Sequence, residues 1–241
     1  LDTYELERER GITIFSKQAV FDLGDLHVTL LDTPGHVDFA AEMERTLQVL
    51  DYAVLVVNGA DGVQGHTRTL WNLLKYYEVP VFLFINKMDQ DGTDKSKVLE
   101  DIRKNLDSAC VAFPENVTDE PTEEFLEELA TCDESVLEEY LENAEIKPET
   151  ITKLIAERKT FPCYFGSALK VQGVQELLDA IEKYARCPSV KLSQEKGQLF
   201  GAKVYKISRD NQGNRLTHLK VTKGILKVKD VLSGRTADGT D

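Results

Sequence analysis

Apolar and polar positions change their spacing along the chain, and this change predicts two kinds of structure. Uninterrupted apolar runs at 53–57 and 81–85 are typical of buried strands, and they alternate with stretches of helical periodicity. From Leu199 onward the apolar residues recur at every second position, as in antiparallel strands. The pattern therefore predicts an α/β part with a doubly wound, mostly parallel sheet, followed by an antiparallel β part.

The same periodicities predict the individual elements. Strands are expected over 12–22, 26–31, 53–57, 81–85 and 161–165, and helices over 37–50, 67–77, 94–106 and 173–185. We expect one domain over 1–190, with a helical insert at 107–160, and a second over 191–241 that begins with a linker. The apolar stripes that predict short helices in the insert are Phe125, Leu126 and Leu129, and then Val136, Leu137, Tyr140 and Leu141.

Charge is concentrated in one segment of the insert. The 241 residues carry a formal charge of −13, from 29 basic and 42 acidic residues. The segment 115–149 holds fourteen of the acids and a single lysine, which leaves the rest of the chain balanced. The chain as a whole therefore offers no basic field for DNA, and no apolar run approaches the roughly 20 residues of a membrane span. Its four cysteines form no C-x-x-C pair, which favours free thiols in a reducing cytoplasm.

The first polar signature, Asp32-Thr33-Pro34-Gly35-His36, follows the strand predicted at 26–31. An aspartate at such a strand end can hold Mg²⁺, usually through water, because Mg²⁺ prefers oxygen ligands and keeps much of its hydration shell. Gly35 would let a backbone N–H approach a phosphate closely. The alternative is an Asx-type turn that leads into a helix.

The second signature, Asn86-Lys87-Met88-Asp89, follows the strand predicted at 81–85. A carboxylate at Asp89 could accept hydrogen bonds from both N1–H and the exocyclic amine of guanine, which adenine does not offer. The Asn86 amide could bond the base, and the stem of Lys87 could pack over it. The alternative is a polar loop that caps a strand.

Two further signatures are weaker evidence of a functional site when each is taken alone. Gly166-Ser167-Ala168-Leu169 follows the strand predicted at 161–165, where small residues let backbone N–H groups reach a carbonyl oxygen. Arg8-Glu9-Arg10-Gly11-Ile12-Thr13-Ile14 is a charged run before a strand, which is usually a solvated loop. The carboxyl ends of parallel strands meet at one edge of a sheet, so the three loops that follow strands are expected to lie together.

In this order and with these strand contexts, the four signatures resemble the guanine-nucleotide-binding domain of the translational GTPases. The resemblance extends over essentially the whole chain, including the start of a β-barrel domain. Within that family the chain resembles the ribosomal protection proteins that confer tetracycline resistance, which are relatives of elongation factor G. The segments that favour this subtype are Asp61-Gly62-Val63-Gln64, 86–92 and the short insert before Gly166.

The resemblance implies roles on the phosphate side. Thr13 would lie in a switch loop and bind Mg²⁺, and Asp32 would hold Mg²⁺ through water. Gly35 would donate its N–H to the γ-phosphate, His36 would orient the attacking water, and Ile12 would belong to an apolar gate that restrains His36. Thr33 and Pro34 would belong to the same nucleotide-binding loop. Hydrolysis would release the switch loops that the γ-phosphate and Mg²⁺ hold.

On the base side, the resemblance implies that Asn86, Lys87 and Asp89 select guanine. The residues expected to close over the base are Ser167, Ala168 and Leu169. Implied partners are GTP or GDP and the ribosome, including its stalk protein, which the acidic segment 115–149 could contact. Cytoplasmic location and a Mg²⁺ cofactor follow from the same resemblance.

The phosphate-binding loop G-x-x-x-x-G-K-[ST] is not found, because no Gly-Lys pair occurs in the sequence. The family places this loop, with its strand, before the first strand predicted here. We therefore expect a piece of a P-loop GTPase with a gap in the sheet between the strands ending at Asp32 and Asn58, followed by a partial barrel, and we expect it to be inactive alone. Three hypotheses stay open: a ribosomal protection GTPase, an elongation factor G or paralogue in translocation, and a catalytically dead ribosome-binding module.

Overall fold

The computed structural model describes residues 16–34, 40–116, 120–186, 200–210 and 212–231, without the side chains of 40–42. The chain divides into two compact units, Leu1–Cys187 and Pro188–Asp241. The strands of the first unit are β1 Lys17–Leu23, β2 Leu26–Asp32, β3 Ala53–Asn58, β4 Val81–Asn86, β5 Cys110–Ala112 and β6 Phe161–Phe165. Its helices are α1 Ala40–Leu47, α2 Gly65–Tyr76, α3 Lys95–Asn105, α4 Glu123–Ala130, α5 Glu134–Asn143, α6 Pro148–Ala156 and α7 Val174–Tyr184.

Four strands form a parallel sheet in the order β3-β4-β6-β5. Alternate side chains of β4 enter two apolar clusters: Phe82 and Phe84 pack with α4, α6 and α7, whereas Leu83 and Ile85 pack with α2 and α3. Helices therefore cover both faces of the sheet at β4, and the predicted doubly wound α/β fold is confirmed.

The strands β1 and β2 form a separate antiparallel pair. In the described part of the chain, no strand bridges β2 and β3, so the predicted gap in the sheet is confirmed. Beside that gap, Leu55 and Val57 of β3 are buried, but Val54 and Val56 are 42% and 56% exposed. One face of β3 is thus covered and the other is open.

A cluster of aromatic rings and one arginine lies on the covered face. Trp71 of α2 is 3% exposed, and its ring centroid lies 4.7 Å from that of Phe161 in an edge-on arrangement. The Arg158 guanidinium lies 5.5 Å from the Trp71 ring and 5.1 Å from the Phe161 ring, and it donates to the carbonyl of Val79. Trp71 is therefore part of the core on this face.

The insert contains the three helices α4, α5 and α6. The two apolar stripes predict α4 and α5, whereas neither stripe falls on α6. The second stripe is only partly correct: Val136 is buried, but Leu137 and Leu141 are 40% and 74% exposed. The range 107–160 also contains a strand that the pattern did not predict, since Cys110–Ala112 pairs in parallel with β6. This part of the predicted insert therefore belongs to the edge of the sheet.

The second unit contains an antiparallel hairpin of β7 Gly201–Arg209 and β8 Arg215–Lys223. The Asp210 carboxylate closes the turn by accepting the backbone N–H of Asn214 at 2.8 Å. The predicted antiparallel pairing is confirmed. In the ranges that the structure describes, no helix is both long and apolar enough to cross a membrane.

Candidate functional site

Asn86 ends β4 and joins the two loops of the predicted base site. Its Oδ1 accepts the backbone N–H of Lys87 at 2.8 Å and that of Ala168, from the loop after β6, also at 2.8 Å. Two bonds to one oxygen fix the orientation of the amide. The NH₂ group then faces a defined direction as a donor.

Backbone hydrogen bonds connect the same two loops. Met88 donates its N–H to the carbonyl of Gly166 at 2.9 Å, and Gly166 donates to the carbonyl of Ile85 at 2.9 Å. Lys87, between these bonds, has a φ of 65°, a left-handed conformation that is uncommon outside glycine. The Thr93 hydroxyl donates to the Met88 carbonyl at 2.9 Å and closes the first loop from its far end.

The loop after β6 is closely packed. Ser167 and Gln172 exchange two backbone hydrogen bonds of 3.0 Å, and Ser167 is 1% exposed. A Cβ on Gly166 would lie 2.0 Å from the carbonyl oxygen of Gln172, so only glycine fits. Leu169, which was expected to close over the base, is 90% exposed at the tip of this loop.

Asp89 is held by two residues of the loop after β6. Its side chain is 18% exposed, and its Oδ2 lies 3.2 Å from Nζ of Lys170. The hydrogen bond from the Ser167 hydroxyl is the main cause that lowers the pKa of Asp89, and Lys170 lowers it further. The carboxylate is therefore charged at neutral pH and is able to accept two donors from the edge of a base.

Asp32 ends β2, so its loop begins on the separate two-stranded pair. Asp32 and Thr33 are half-buried and Pro34 is buried. The predicted residues Ile12, Thr13, Gly35 and His36 lie outside the described residues. The structure thus brings the base-side residues together, and on the phosphate side it describes only these three.

A single carboxylate at Asp32 fits a Mg²⁺ ion of the kind that nucleotides carry. Such an ion keeps several waters and takes one or two carboxylates together with phosphate oxygens, so it needs no cage of protein ligands. Within the described ranges, no group of three or more His, Cys, Asp or Glu side chains could hold a metal by itself.

Sequence reasoning missed Lys170 as a residue of this site. The lysine immediately follows the Gly166–Leu169 signature, yet only its distance from Asp89 shows that it reaches the other loop. The sequence shows only that Lys170 is adjacent to a signature. A solvated surface lysine could occupy the same position, so the sequence alone does not identify Lys170 as a site residue.

Comparisons with known proteins extend these observations. The elongation factor Tu GTP binding domain family matches residues 1–186. The oxytetracycline resistance protein of Streptomyces rimosus is 37% identical over 99% of this chain, which corresponds to 39% of its own length. The tetracycline resistance protein TetW of Butyrivibrio fibrisolvens is 34% identical over 97% of this chain and 38% of its own.

Two further matches are to an elongation factor and to a solved structure. Elongation factor G 1 of Syntrophus aciditrophicus is 33% identical over 94% of this chain and 41% of its own length. A crystal structure of a protein from Thermus thermophilus shares the fold, with a TM-score of 0.77 and 24% identity over 95% of this chain and 40% of that one. The chain thus spans about two fifths of the curated relatives that it matches.

Proposed function

Because the chain belongs to the translational GTPases, through the elongation factor Tu GTP binding domain family, we propose that the protein carrying it hydrolyses GTP on the ribosome in the cytoplasm. The observation that supports this most is the arrangement of Asn86 and Asp89 with the loop after β6, where an oriented amide and a charged carboxylate share one edge. Asp89 would accept the N1–H and amine of guanine, and Asn86 would contact the base. Lys87, Ser167, Ala168 and Leu169 complete the proposed base side.

On the phosphate side we propose the roles that the family resemblance assigns. Asp32 and Thr13 would hold a Mg²⁺ ion, which when bound neutralises developing charge on the phosphates. Gly35 would donate its N–H to the γ-phosphate, and Thr33 and Pro34 would shape the same loop. His36 would orient the attacking water, with Ile12 restraining it.

Tetracycline resistance by ribosomal protection is the activity that we propose for the whole protein, because two relatives with resistance names match at 37% and 34% identity. Elongation factor G activity is the second candidate, supported by the match to elongation factor G 1 at 33% identity. We also propose that the acidic insert docks the ribosomal stalk protein. The exposed Leu137 and Leu141 lie on the acidic helix α5, a combination that suits a basic partner with an apolar stripe.

Phosphate release from GTP tests the proposal, with and without ribosomes, on a protein of the relatives' length that carries this chain. We expect ribosomes to stimulate release, His36→Ala to abolish the stimulation, and ribosomes stripped of stalk protein to stimulate less. The 241-residue chain alone should release negligible phosphate and bind GTP weakly, because it has no Gly-Lys pair. Ribosome-independent release that His36→Ala leaves unchanged would contradict the proposed activity, and low-micromolar GTP binding by the chain alone would contradict its inactivity.

A further inference from the structure

Lys170 reaches from one loop of the base site to the other. It follows the signature on the loop after β6, and its Nζ lies 3.2 Å from Oδ2 of Asp89 on the loop after β4. The two side chains differ in exposure, 54% for Lys170 and 18% for Asp89. The lysine therefore covers a carboxylate that is itself mostly shielded from water.

The backbone beneath Lys170 is fixed by the loop that carries it. The N–H of Lys170 donates to Oγ of Ser167 at 3.4 Å, and that of Val171 donates to the carbonyl of Ala168 at 3.3 Å. Val171 and Gly173 have φ angles of 55° and 74°, so the loop turns back sharply to meet Gln172. The backbone that carries the Lys170 ammonium group is therefore constrained close to Asp89.

A carboxylate has room for more partners than Lys170 and Ser167 use. Its two oxygens offer about four acceptor positions, which the Lys170 ammonium, the Ser167 hydroxyl and the backbone N–H of Asp89 share. Because a carboxylate oxygen can accept more than one donor, these partners do not by themselves exclude the N1–H and amine of guanine. The ion pair with Lys170 therefore leaves the carboxylate able to bind a base while it restricts the rotation of the side chain.

We propose that Lys170 is a positioning residue that orients the carboxylate of Asp89 for guanine recognition, a role that rests on the proposed function of Asp89. Lys170 acts through Asp89 and not by contact with the base. Its ammonium group matters, because an apolar side chain of similar length at this position would give Asp89 neither a donor nor a compensating positive charge.

Nucleoside monophosphates test this role in the 241-residue chain, because they probe the base side with little dependence on the β- and γ-phosphate contacts. Amide chemical shifts would follow the binding of GMP and AMP at millimolar concentration. The variants are Lys170→Met, which keeps the stem and removes the charge, Lys170→Arg, which keeps the charge, and Lys104→Met, a matched control on the exposed side of α3.

We expect Lys170→Met to weaken GMP binding about twofold to fivefold, the range of an exposed ion pair, and to leave AMP binding unchanged. It should also raise the pH at which GMP binding is lost, because Asp89 would protonate more readily. Lys170→Arg should restore both properties, and Lys104→Met should match the wild type.

Two results would overturn the role of Lys170 and leave the proposed function intact. Tighter GMP binding in Lys170→Met would show that the lysine competes with the base, and an equal loss of GMP and AMP binding would show general damage to the loop. A wild-type chain that binds GMP no better than AMP would contradict the proposed function itself, and the role of Lys170 with it.

Discussion

The ends of β4 and β2 both carry predicted nucleotide-binding residues, but they are built differently. At β4, helices cover both faces of the strand, and hydrogen bonds that involve Asn86, Met88 and Gly166 join its loop to the next one. Among the described strands, β2 pairs with β1 alone and is not part of the four-stranded sheet, in which Val54 and Val56 of β3 are exposed.

This difference indicates that the proposed base side and the proposed phosphate side depend on different parts of the fold. The proposed base side is assembled by hydrogen bonds between the loops that follow β4 and β6 of the four-stranded sheet. The described phosphate-side residues lie on a hairpin that this sheet does not continue.

Gly166→Ala should have the largest effect on stability, because it adds a side chain within the closely packed loop after β6. The new Cβ would lie 2.0 Å from the carbonyl oxygen of Gln172, so the loop has to move. We expect a loss of about 3 kcal/mol in the free energy of unfolding, at the upper end for overpacking. Urea unfolding followed by circular dichroism measures it.

Gly65→Ala is the matched control, because a Cβ on Gly65 at the start of α2 meets no atom within 4 Å. It should be neutral or slightly stabilising. Equal stability of the two variants would show that the loop after β6 is not tightly packed.

The second prediction compares adjacent valines on β3. Val57 is 1% exposed and Val56 is 56% exposed. Truncation of Val57 to alanine removes buried methyl groups and should cost about 2 kcal/mol, whereas Val56→Ala should cost less than about 0.5 kcal/mol. The same urea experiment applies, and similar losses for the two variants would mean that both faces of β3 are covered in solution.

The smallest effect concerns pH. The lowered pKa of Asp89, caused first by the Ser167 hydroxyl and then by Lys170, keeps the carboxylate charged below the ordinary aspartate value of about 3.9. Binding of GMP and the stabilising ion pair should both persist as pH falls from 7 to about 4, and both should be lost as pH falls through the lowered pKa. Titration of the amide shifts with GMP at successive pH values measures this. A loss centred above the ordinary aspartate range would contradict it.

The sequence predicts the four-stranded sheet well where strands are long and buried on both faces. The run from Val81 to Ile85 is such a case, since an uninterrupted apolar segment has few other stable placements. The strand at Cys110–Ala112 could not be found in the same way, because three residues are too few to show a periodicity. Its place is set by pairing with β6.

Exposure within predicted helices and contacts between loops were harder to predict. Leu137 and Leu141 follow the spacing of a buried stripe, yet they remain exposed, because spacing shows only that two residues share a face and not what covers that face. The base-side signatures predict which loops meet. The pairing of Lys170 with Asp89 depends on the path of the loop after β6, which its sequence does not specify.

The packing of Trp71 gives the first unit an optical signal of its own. The chain has only one tryptophan, and a guanidinium and the edge of a phenyl ring contact its buried indole. Arg158 and Phe161 both belong to the segment that returns from the insert to the sheet. Fluorescence from Trp71 therefore reports whether that segment is packed against α2. The hairpin of the second unit has no tryptophan and contributes no tryptophan emission to the signal.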